Sequence, residues 1–101
     1  MTYQLVLQFP ESDFPDFDQL IELEGAVAEC LGNLGDLDGH DIGSGEVNLF
    51  ILTAQPGKAF EKVRSVEAVA RHSSMSAAYR HLDSEEFTVL YPLGLAKFLV
   101  A

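Results

Sequence analysis

Lysine and arginine are scarce in this chain, six in 101 residues, and they are missing altogether from the first 57. That stretch holds eleven carboxylates, while residues 58–101 hold six basic and five acidic side chains, and the whole chain carries −10. A net charge of this sign argues against a nucleic-acid backbone as partner, because such binding is driven largely by Lys and Arg displacing counterions. Cysteine is nearly absent too. The single Cys30 excludes an intramolecular disulfide, and its place among apolar residues reads as a buried structural thiol in a reducing compartment. Long apolar runs are also lacking. The longest, "VNLFILTA" and "LGLAKFLVA", fall well short of the roughly 18–20 residues that span a bilayer. The opening "MTYQLVLQFPESDF" has no basic region of a signal peptide. The expectation is a soluble, cytoplasmic protein with no membrane and no nucleic-acid partner.

What is present is an ordinary globular composition, 48% hydrophobic and 22% charged, enough for a single domain over residues 1–101 with its own core. In "TYQLVLQF", Tyr3, Leu5, Leu7 and Phe9 alternate with Gln4, Val6 and Gln8, which predicts a half-buried strand ended by Pro10. From Asp16 to Leu31, Phe17, Leu20, Leu23, Val27 and Leu31 recur at steps of three and four, predicting an amphipathic helix stopped by Gly32, Asn33 and Gly35. A short strand over Leu37–Ile42 turns at Gly43, Ser44 and Gly45 into the strongest strand, Glu46–Thr53. A second helix is expected over Lys58–His72, then a helical turn or two in "SSMSAAYRHL" capped by Ser73 or Ser74, and a last strand in "EEFTVLYP".

Strand, helix, strand, strand, helix, strand is the order of an α+β, ferredoxin-like βαββαβ fold: a four-stranded antiparallel sheet with two helices on one face and an apolar C-terminal tail. Leu5, Leu7, Val47, Leu49, Ile51 and Val89 are expected to face the helices. The open face then shows Val6, Phe50, Leu52 and Leu90, too apolar to remain wet as one patch. Two covers are available. The tail "PLGLAKFLVA" can fold back across the sheet, or a second copy can stack on it, making these four residues interface candidates.

The loop "DLDGHDIGSGEVNLF" draws attention as a site. On a regular strand Asp36, Asp38, His40 and Ile42 share one side and Leu37, Gly39 and Asp41 the other, so Asp38 and His40 can reach one metal ion, with Glu46 or Asn48 coming from the partner strand; Asp41 and Ser44 complete the ligand candidates of the loop. The bland reading is a hairpin rich in turn residues. A calcium loop starting at Asp36 fails, with Asp41 where glycine is needed and Val47 where a bidentate Glu belongs. No cysteine cluster or helical His pair supports zinc. A phosphate cradle opens a helix, whereas these glycines open a strand among carboxylates. No cofactor is implied.

Other sets are weaker. Ser44, His40 and Asp38 make a paper triad without a G-x-S-x-G elbow. Cys30 lacks a neighbouring His, with His72 and His81 distant in sequence. Arg71, His72, Arg80 and His81 read as solvated helix edges or an anion-binding rim. Glu24 sits inside the apolar sector of the first helix, so it must snorkel, pair with a base such as Arg64, or line an interface.

The segments "DGHDIGSGEVNLFI" and "PGKAFEKV" together resemble a pattern in small bacterial proteins with a ferredoxin-like core, covering the middle third of the chain and carrying over no activity. In size and acidity the chain is also similar to immunity proteins that block basic toxins. The reading that follows is a non-catalytic acidic module binding a protein partner or itself. The alternative is a small ligand- or metal-dependent enzyme using residues 36–48.

Overall fold

A computed structural model of the chain describes residues 2–95 and 98–100. Met1, and Ala96, Lys97 and Ala101 of the expected tail, lie outside them. The order is β1 (Tyr3–Pro10), α1 (Phe17–Leu31), β2 (Asp36–Gly43), β3 (Glu46–Thr53), α2 (Pro56–Arg64), α3 (Glu67–Ala70), β4 (Ser76–His81) and β5 (Thr88–Tyr91). Short 3-10 turns occupy Glu11–Asp13 and Gly32–Leu34. The architecture is α+β: one five-stranded sheet in the order β2-β3-β1-β4-β5, every pairing antiparallel.

Local chemistry explains most of the boundaries. Asp16 caps α1, its Oδ1 accepting the Asp18 N–H at 3.0 Å, which satisfies an amide that the helix leaves without a partner. Leu20, Leu23, Val27 and Leu31 make the buried stripe of that helix. Pro56 starts α2, where its missing N–H costs nothing. The second helix is not continuous to His72 as expected. It breaks at Ser65 and Val66, where the Ser65 hydroxyl donates to Lys62 O at 2.7 Å and Val66 turns extended.

The segment "SSMSAAYRHL" is not helical. Residues Ser76–His81 form β4 and pair with β1, Leu5 opposite Tyr79 and Val6 opposite Ala78. Ala77 and Ala78 are both fully buried, one on each side of the sheet. A strand covered on both faces shows no alternation, and alanine favours helix in isolation, so tertiary pairing overrides the local preference. The expected last strand is therefore a fifth one, added at the edge of β4 rather than beside β1.

The alternation on β1 and β3 places Leu5, Leu7, Phe9, Val47, Leu49 and Ile51 in the main core with the helices. Val89 departs from expectation. It pairs with Ala78 and packs on the opposite face, while Leu90 joins the helix-side core, because the register shifts between Ala77 and Ala78. Leu90 is thus not part of the open face. That face is a second, smaller core of Val6, Ala78 and Phe98, with Phe50, Phe87, Val89 and Val100 packed around it. The cover is the chain's own tail. Phe98 meets the Phe87 ring at 5.1 Å, and Leu99 O accepts from Gln8 Nε2 at 2.8 Å. The same Nε2 donates to Asn48 Oδ1 at 2.9 Å, so these two buried amides satisfy each other beneath the tail. Leu52 stays half-buried.

No helix among the described residues is long and apolar enough to cross a membrane.

Candidate functional site

The hairpin at residues 36–53 is a two-residue loop. Gly43 pairs with Glu46, and between them Ser44 and Gly45 take φ of 55° and 80°, the paired positive angles of a type I′ turn that follows the twist of the strands. Glycine meets that demand freely, whereas serine does so against its Cβ. Replacing Ser44→Asn, which tolerates the left-handed region, is expected to raise stability by about 0.5–1 kcal/mol in a urea melt. An unchanged midpoint would mean that the turn is not strained at Ser44.

The strand leading into this turn is irregular. Leu37 pairs with Ile51 and His40 with Leu49, two residues apart on β3 but three on β2, with Gly39 at φ 100°. This bulge reverses the alternation. Leu37, His40 and Ile42 share registers with helix-facing residues, while Asp36 and Asp41 pair with Leu52 and Asn48 on the other face. The expected common side of Asp36, Asp38, His40 and Ile42 therefore does not form. Asn48 is buried against Gln8, and Glu46 follows its alternation on β3, so neither faces His40. Ser44 sits at the turn tip and Asp38 is exposed in the bulge. Among the described residues, no three His, Cys, Asp or Glu side chains gather closely enough to hold a metal ion.

His40 instead finds the odd carboxylate of α1. Glu24 Oε1 lies 2.6 Å from His40 Nδ1, with side chains 14% and 25% exposed. The approach is a close contact without hydrogen-bond alignment, since Oε1 is shut off from solvent yet has no partner of proper geometry. Arg64, the base expected for Glu24, pairs with Glu61 at 3.3 Å and lays its guanidinium over Phe60 and Tyr91. Above His40, the Phe17 ring closes in edge-on at 5.8 Å. Two features that stand apart in the sequence, Glu24 and His40, thus form one joint between α1 and the edge strand β2.

No family model matches the chain. No curated protein and no solved structure matches it either.

The electrostatics of this side of the molecule come from α1 and β2 together. Asp18, Glu22 and Glu29 are exposed along α1, and Asp36, Asp38 and Asp41 along β2. Neither element contains a Lys or Arg.

The remaining sets do not converge. The Cys30 thiol donates to Lys62 O at 3.4 Å, fastening α1 to α2. Arg80 is occupied by Gln4 Oε1 at 2.9 Å and by the carbonyls of Leu82 and Ser84. His81 Nδ1 accepts the Asp83 N–H at 3.2 Å, and Arg71 reaches Glu67 at 3.9 Å. His72 has a partner that sequence reasoning missed: its Nδ1 lies 3.1 Å from Asp13 Oδ2, beside a cavity of about 290 Å³ also lined by Gln19, Glu22 and Arg71. Fifty-nine positions separate the two, and no local pattern announces such a pair.

Proposed function

We propose that this chain is a non-catalytic binding module that engages a protein partner through the acidic surface of its N-terminal half. The observation that carries this reading is the one-sided charge: eleven carboxylates and no Lys or Arg in residues 1–57. Eight of the eleven, among them Asp18, Glu22, Asp38 and Asp41, are exposed. A continuous field of one sign raises the encounter rate with a basic partner and selects against acidic ones. The first four strands, in the order β2-β3-β1-β4 with the helices on one side, support a ferredoxin-like core extended by β5, in keeping with the resemblance to small bacterial proteins. Free Cys30 favours a reducing, cytoplasmic setting. The tail's hold on the second sheet face supports α1 and β2 as the partner surface in this reading.

The test is affinity capture from native extract with the wild type and with a triple variant, Glu22→Lys, Asp38→Lys and Asp41→Lys. The variant is expected to lose the wild type's partner by tenfold or more, and the wild-type complex should weaken smoothly with added salt. A variant that retains every partner overturns the reading.

A further inference from the structure

We propose that the flank between α1 and β2 is a docking groove for a basic amphipathic helix of the partner protein, an inference that rests on the acidic-module reading and gives it a place and a ligand class. Three large apolar side chains stand exposed in the N-terminal half, and all three lie on this flank: Phe17 at 55%, Ile21 at 48% and Ile42 at 41%. On α1, Phe17 and Ile21 fall at i and i+4 of a stripe that continues through Glu24 and exposed Ala28 and runs beside the buried stripe. The stripe abuts the strand at His40, which both Phe17 and Glu24 touch. The short connection after α1 sends β2 back along the helix, so Ile42, two residues beyond His40 on the same side, falls toward the Phe17 end.

The apolar strip is bordered by carboxylates. Asp18, Glu22 and Glu29 follow it along α1, and Asp38 stands exposed at the bulge of β2, while Asp41 is exposed on the opposite face of that strand. An occupant that satisfies this pattern presents apolar residues toward the strip and Lys or Arg beside them, chiefly on the α1 side, which is the layout of a basic amphipathic helix. Strand addition to β2 fits less well, because the bulge between Leu37 and His40 interrupts the pairing edge. A second copy of this chain fits less well too, because two such flanks would set carboxylate rows against each other.

The experiment is an amide NMR titration with three peptides: a 14-residue helix-forming peptide of Leu and Lys at amphipathic spacing, its scramble, and a Lys 14-mer. Saturable shifts centred on residues 17–28 and 38–42 are expected for the amphipathic peptide, with the two controls at least tenfold weaker. The double variant Phe17→Ser and Ile21→Ser, and separately Ile42→Ser, should lower affinity for the amphipathic peptide about tenfold while the amide spectrum elsewhere stays native. If the Lys 14-mer binds as tightly, or the serine variants keep full affinity, the groove is overturned while the acidic-module reading survives. Binding that survives Glu22→Lys, Asp38→Lys and Asp41→Lys overturns both. Peptide shifts confined to the sheet face near Phe50 and Phe87, or concentration-dependent shifts at the flank without peptide, also overturn the proposal, the last by assigning the flank to a second copy.

Discussion

Replacing Gly35→Ala is expected to lower the stability of this protein by about 2–3 kcal/mol, although the change adds one methyl group at a backbone position that any residue can adopt. Gly35 is extended, with φ 174° and ψ 178°, so conformational strain is not the reason. The reason is distance. A Cβ there would lie 2.7 Å from Leu52 O, 3.1 Å from Thr53 Cβ and 3.3 Å from Ile51 Cγ2. The nearest of these is a backbone carbonyl within the sheet, which cannot rotate aside as a flexible side chain can. The junction is also pinned by hydrogen bonds: the Thr53 hydroxyl donates to Leu34 O at 2.6 Å and accepts the Gln55 N–H at 3.0 Å. Relief of the clash would part the entry to β2 from the exit of β3. Gly25→Ala is the control, because nothing lies within 4 Å of that Cβ in α1, and a helix-interior alanine should stabilise by up to about 1 kcal/mol. Urea melts of the two variants should therefore shift in opposite directions. Equal midpoints would remove the argument for close approach.

Phe98→Ala should cost about 3 kcal/mol, the lower end for truncating a buried phenylalanine. Phe98 is 7% exposed and completes the second core against Val6 and Ala78. Its loss unseats the tail, wets Phe50 and Val89, and leaves Gln8 without the Leu99 carbonyl. Beyond the lowered melting midpoint, the variant should bind a hydrophobic dye and associate in sedimentation, because its uncovered face is apolar. Unchanged stability, with a wild type that sediments as a dimer, would show that a second copy rather than the tail protects the sheet.

The readability of this chain followed the physics of burial. Strands β1 and β3 and helix α1 were legible because each carries a clear hydrophobic period. The turn was legible because Ser44 and Gly45 sit between two strand patterns. Strand β4 was not: Ala77 and Ala78 are both buried, on opposite faces, so no alternation survives, and alanine points to helix. The faces of β2 and β5 were misread for a shared reason. A bulge adds a residue to one strand, and parity beyond it is inverted, which displaced His40 from Asp36 and exchanged Val89 with Leu90. Glu24 and His40 each stood out on chemical grounds, but their pairing depends on how α1 lies over the edge strand. Gly35 announced only a helix stop, because a close approach is a property of the neighbours.

The central position of β1 shapes how the molecule assembles. The β2–β3 hairpin joins neighbouring residues through two turn positions, so its closure costs little chain entropy and can precede other pairings. The pairing of β1 with β4 encloses most of the chain, and the bond from Gln8 to Leu99 encloses more still. Loop entropy of this kind is lost before the contacts compensate for it, so it slows folding. The half that carries the acidic hairpin is therefore set to organise early, and the β4, β5 and tail layer to dock onto it late.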